Sequence, residues 1–212
     1  MKEKHQDFIW LAGLLVAVLS ILLFISTSVN AQSSESSVAS VDPFYTILEV
    51  VKSPRCMNCH PTDDNPRQTD AQYDHLFGVV RGADNHGGAV LQCESCHHEE
   101  NNPYSNVPGA PHWGLAPKSM GWLGLSDAEI ARTLVDVEKN GGRTAEDLVH
   151  HMSHDALVLW AWEAGEGRNP PPVSFDEFVA ALNLWLEQGG ELPEEFRLDE
   201  TANAEGVENG SN

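Results

Sequence analysis

Cys56-Met57-Asn58-Cys59-His60 and Cys93-Glu94-Ser95-Cys96-His97 use all four cysteines of the 212-residue chain, and each pair runs directly into a histidine. That is the attachment signature of c-type haem. Two thiols separated by two residues can add to the two vinyl groups on one edge of a porphyrin. The next residue then lies under the ring, where its imidazole can bind iron. The motifs therefore predict two covalently bound haem c groups, with Cys56, Cys59, Cys93 and Cys96 as thioether anchors and His60 and His97 as proximal iron ligands. A four-cysteine zinc ribbon uses similar pairs but separates them by about 15–20 residues. Here 33 residues lie between Cys59 and Cys93, and zinc leaves both histidines unexplained. A redox dithiol belongs beside a βαβ pattern, which is not readable here.

A local repeat reinforces the motifs. Cys56–Pro66 aligns with Cys93–Pro103 at a constant offset of 37, and the same offset takes His75 to His112. Each of these lies 15 residues after its proximal histidine, so His75 and His112 are the first candidates for distal ligands. His86, in Asn-His-Gly-Gly, and His151, three residues before His154 on an expected helix, are held in reserve. His98, His150 and Met152 stay open. Met120, sixty residues beyond His60, lies in Pro117–Gly124, which resembles the methionine-ligand loop of class I cytochromes c. Paired histidines give low potentials and His/Met pairs higher ones; paired histidines are favoured for at least one haem.

Charge narrows the partners. Twelve Lys+Arg stand against 32 Asp+Glu, a net of −20, and four haem propionates would add to it. Nucleic acid, whose recognition needs a cationic face, is excluded, and adsorption to anionic membranes is disfavoured. A redox partner with a basic docking patch fits instead. Arg81, Arg143 and Arg168 are rare cations able to pair with propionates. Trp113, Trp122, Trp160, Trp162 and Trp185 suit packing in the core or on porphyrin.

Along the chain, residues 1–31 read as a signal peptide or N-terminal membrane anchor. The 18-residue apolar run Phe8–Ile25 precedes Val29-Asn30-Ala31, with small residues where a signal peptidase requires them. Both readings export the rest to the periplasm, free or held to the cytoplasmic membrane through residues 8–25. Residues 32–41 form a Ser-rich linker, 42–192 one domain, and 193–212 an acidic disordered tail. Four helices are expected in the domain. Asp42-Pro43 opens Phe44–Lys52; Ser126 with Glu129 opens a segment through Ile130, Leu134 and Val137. Thr144 with Asp147 opens one continuing to Gly165, and Ser174 with Glu177 opens one ending at Gly189. Between Cys59 and Met120 no strand alternation is readable. The expectation is an all-α di-haem cytochrome c domain, with long irregular loops organised by the porphyrins that complete a lean core.

Ser53–Pro61, Arg81-Gly82, His86-Gly87, the second Cys-x-x-Cys-His, Pro108–Pro111 and Trp113 resemble a bacterial family. So do His154–Trp162, Gly165–Arg168 and Pro170–Pro172. The family comprises small exported proteins often named isoquinoline 1-oxidoreductase subunit, and the likeness covers about residues 50–190. The resemblance implies an electron acceptor for a molybdenum-containing hydroxylase. An electron carrier is the leading expectation, and an enzyme is not. A peroxidase-like haem enzyme with one five-coordinate iron and a membrane-anchored cytochrome subunit of a respiratory complex are the alternatives.

Overall fold

In the computed structural model, residues 42–197 are described. The signal or anchor segment at 1–31, the linker at 32–41 and the tail from 198 onward lie outside the described residues. Among the described residues no helix is long and apolar enough to cross a membrane.

Helix α1 (Pro43–Val51) starts where Asp42 accepts the Phe44 N–H at 2.9 Å, with Pro43 at its first position. Helix α2 (Pro54–Met57) carries the first cysteine. Helices α3 (Asp127–Val135), α4 (Ala145–His154) and α6 (Phe175–Glu187) each begin with a complete capping box, Ser126/Glu129, Thr144/Asp147 and Ser174/Glu177. Between α4 and α6, the short α5 (Ala156–Leu159) is capped by Asp155, which accepts the Leu157 N–H at 2.9 Å. Asp155 thereby breaks the single long helix expected from Thr144 to Gly165. Helix α3 stops at Asp136, leaving Val137 half exposed rather than in the apolar stripe.

Helix α1 lies against α6, and α4 meets both α5 and α6. Phe44, Ile47, Val50, Leu134, Phe178, Leu182 and Trp185 are all essentially buried between them. Folded chain also continues past residue 192, where the tail was expected to begin. Helix α7 (Glu194–Arg197) turns Phe196 into the core, with its ring 6.1 Å from Phe44. Leu192 and Phe196, both buried in the core, hold this stretch down despite its acidic neighbours.

All-α does not describe the fold. Seven helices are joined by two two-stranded antiparallel ladders, β1 (Arg67–Gln68) with β2 (Tyr73–Asp74) and β3 (Gly87–Gly88) with β4 (Leu91–Gln92); 42% of the described residues are helical and 5% in strands. The second ladder depends on Gly82 (φ +72), where a Cβ would stand 1.8 Å from the Gly87 carbonyl oxygen. Buried Arg81 ties this irregular region together. Its guanidinium donates to the carbonyls of Pro61 (3.0 Å), Asp63 (3.0 Å) and Ala116 and pairs with Asp64 at 3.4 Å. A further bond goes to the Asn85 side-chain oxygen at 3.2 Å, while the Arg81 Nε has no hydrogen-bond partner.

The caps predict an acid response. Hydrogen bonds from Ser126, Thr144 and Ser174 hold the Glu129, Asp147 and Glu177 carboxyls below their ordinary values of 4.5, 3.8 and 4.5. Groups depressed in the folded state stabilise it above their unfolded pKa and lose that contribution as pH falls through the folded one. Between about pH 5 and pH 3, the triple variant Glu129→Gln/Asp147→Asn/Glu177→Gln loses less Tm than the wild-type chain. Equal slopes for the two proteins would refute this. Ser174→Ala costs about 1 kcal/mol at neutral pH, measured by denaturant unfolding.

Candidate functional site

Both cysteine motifs fold as one helical turn. The N–H groups of Cys59 and His60 donate to the Cys56 carbonyl at 3.0 and 3.2 Å; those of Cys96 and His97 donate to the Cys93 carbonyl at 3.2 and 2.9 Å. Residues i, i+3 and i+4 lie on one side of such a turn. The spacing therefore presents two thiols and an imidazole together, and all four cysteines are unpaired.

Each turn borders its own cavity. The first, about 320 Å³, is lined by Cys56, Cys59, His60, Met120, Trp122 and His151 among others. The second, about 450 Å³, is lined by Cys93, Cys96, His97, His75, Trp113 and Arg168 among others. The cavities adjoin, sharing Arg55, Cys59, Gly114, Leu115 and Trp160 in their walls. Burial, with the neighbouring Cys56 and Cys93 sulfurs adding to it, pushes the Cys59 thiol up to about 12; burial raises Cys56 to about 11.

The two proximal histidines are held alike. Nδ1 of His60 donates to the Met120 carbonyl and Nδ1 of His97 to that of Pro108, both at 2.7 Å. A carbonyl can only accept, so the proton is on Nδ1 and Nε2 keeps its lone pair when the ring is neutral. Burial enforces neutrality, lowering His60 from 6.5 to about 4 and depressing His97 as well. Each ring is also backed by a parallel indole. His60 stacks on Trp122 with centroids 3.6 Å apart, and His97 on Trp113 at 4.4 Å.

The distal candidates are crossed relative to the repeat. His75, which follows the first motif, borders the second cavity, and its ring centroid lies 6.0 Å from that of His97. Nδ1 of His75 donates to the Leu76 carbonyl at 2.8 Å, which again leaves Nε2 bare. His112, which follows the second motif, borders the first cavity from an exposed, left-handed position (φ 59). His86 also borders the first cavity; it is exposed, with Nδ1 3.2 Å from the Trp113 carbonyl oxygen. Gly114 makes room for it, since a Cβ there would stand 2.6 Å from the His86 ring.

His151, on α4, also borders the first cavity and is less exposed than His86 or His112. It lies near enough for its charge to lower the His60 pKa, as His75 does for His97. Its Nδ1 faces the Asp155 carboxylate at 3.4 Å. His154 does not share this face. It stacks on His150 at 4.6 Å, and both are exposed.

Two buried donors on these walls lack partners, the Nε of Arg55 and the indole N–H of Trp122. Both atoms are fully enclosed by protein, so neither is open to the cavity beside it. Apolar cavities, paired thiols on one face and imidazoles with free Nε2 together fit a covalently held porphyrin. Among the described residues, no three His, Cys, Asp or Glu side chains converge to form a metal site from protein alone. Arg143 borders the first cavity and Arg168 the second; Arg143 donates to the Asn140 carbonyl at 2.7 Å, and Arg168 to the Asn106 side-chain oxygen at 2.9 Å and the Ala164 carbonyl at 3.1 Å. Arg55 borders both and escaped the sequence reading, although its place directly before Cys56 was a usable signal. No family model, curated protein or solved structure matches the chain.

Proposed function

We propose that this protein is an exported di-haem c-type cytochrome that carries single electrons between redox partners. The reading rests on two matching helical turns, each offering two unpaired thiols and a neutral, Nδ1-pinned imidazole to its own apolar cavity. Haem supplies one-electron chemistry at iron, with no atom transferred. Cys56/Cys59 and Cys93/Cys96 would hold it covalently, His60 and His97 would orient it, and His151 and His75 would supply the second imidazole in the first and second cavities. Paired histidines leave no open coordination position, which favours a carrier over a peroxidase-like enzyme. The acidic surface steers a partner with a basic patch, and the family resemblance suggests a molybdenum-containing hydroxylase as electron donor. The periplasm is the proposed location, with residues 8–25 the sole membrane contact if retained.

EPR of the oxidised, haem-loaded protein tests the carrier reading. Both irons are expected to be low-spin, with no carbon monoxide binding after reduction and no peroxide turnover. One high-spin iron that binds carbon monoxide and consumes peroxide would favour the enzyme instead.

A further inference from the structure

We propose that Arg55 is a shared positive charge that raises the reduction potentials of both haems together; the inference rests on the di-haem reading above. Arg55 occupies the wall common to both cavities, and its side chain is 2% exposed. One carboxylate, Asp70, pairs with it, and the other oxygen of that carboxylate accepts the Asn169 N–H at 3.2 Å. The Arg55 Nε has no partner. Arg168, on the wall of the second cavity, lies close enough for the Arg55 charge to lower its pKa, behind the larger effect of its own burial. Two guanidiniums thus face one carboxylate, a local excess of positive charge inside a chain of net −20.

Burying a charge is costly, and Asp70 is the carboxylate that offsets it here. Arginine stays protonated throughout, so its charge does not change with oxidation state. Gain of one electron in either cavity adds one negative charge and requires no proton from Arg55. A fixed positive charge nearby, poorly screened by water, favours the reduced form in both cavities. Asp70 acts in the opposite sense.

Potentiometric titration of the haem-loaded protein with dithionite and ferricyanide, followed in the α-band, tests the proposal. Arg55→Gln is expected to lower both potentials, changing the oxidised-to-reduced ratio at fixed potential about ten-fold, which is about 59 mV for a one-electron couple. Arg55→Lys keeps the charge and recovers most of that shift. Asp70→Asn removes the opposing charge and raises both potentials. The opposite signs separate charge from packing, because a loosened wall that admits water would shift both variants the same way. The proposal is overturned if Arg55→Gln moves neither potential or only one, or if Asp70→Asn shifts in the same direction. Should Arg55→Gln fail to mature, Asp70→Asn decides alone: an upward shift of both supports it, anything else overturns it. Haem content is measured first. A wild-type chain without haem defeats the di-haem reading, whereas two haems with unmoved potentials defeat the role of Arg55 alone.

Discussion

His75→Ala turns one iron of the loaded protein high-spin and leaves the other low-spin, and the affected iron is the one held by Cys93, Cys96 and His97. The repeat alone would place His75 with the first motif, from which it is 15 residues distant. Its ring instead stands 6.0 Å from that of His97 and borders the second cavity. The assignment is made in chains carrying a single haem. His75→Ala changes the spectrum when Cys56 and Cys59 are replaced by Ala, and leaves it unchanged when Cys93 and Cys96 are replaced. His151→Ala behaves in the converse way, and His112→Ala leaves both irons low-spin. EPR of the three variants reads all of this. A high-spin signal in His112→Ala with none in His151→Ala would reverse the assignment for the first motif.

Trp185→Ala has the largest effect on stability, a loss of about 3–5 kcal/mol. The side chain is 2% exposed, its ring lies 5.9 Å from that of Phe44, and its N–H donates to the Glu191 carbonyl at 2.8 Å. Truncation opens a void between α1 and α6 and frees the carbonyl that leads the chain into α7. Against a typical total of about 5–15 kcal/mol this is a large fraction, and it corresponds to a fall in Tm on the order of 10 °C. Leu184, its neighbour on α6, is 45% exposed; Leu184→Ala changes stability by about 0.5 kcal/mol or less. Calorimetry of both variants checks the contrast, and equal losses would contradict the packing described.

The parts legible in the sequence are those whose information is local. Ser126/Glu129, Thr144/Asp147 and Ser174/Glu177 announce helix starts because both halves of the cap lie three residues apart. The two Cys-x-x-Cys-His turns are equally self-contained. The cap at Asp155 is local too, but apolar residues on both sides of it continue the helical pattern from Thr144 to Gly165. The ladders were not readable, since two-residue strands such as Arg67–Gln68 and Gly87–Gly88 are too short to alternate. Close backbone approach at Gly82 sets the second ladder, a contact between residues that no local pattern announces. The crossing of His75 and His112 between the cavities is a property of loop paths, which no spacing reveals. Arg55 lay unnoticed because a charge beside a motif reads as solvated until the wall it occupies is known.

Four cysteines are assigned here to two covalent haems, and the intact mass of the denatured mature protein tests that most directly. The mature chain is expected to be heavier by two haem groups than its counterpart with all four cysteines replaced by Ala, after allowing for the substitutions. The increment survives denaturation, and no cysteine remains open to alkylation. A chain of unmodified mass with four alkylatable cysteines, or one that carries stoichiometric zinc in its native state, would contradict it.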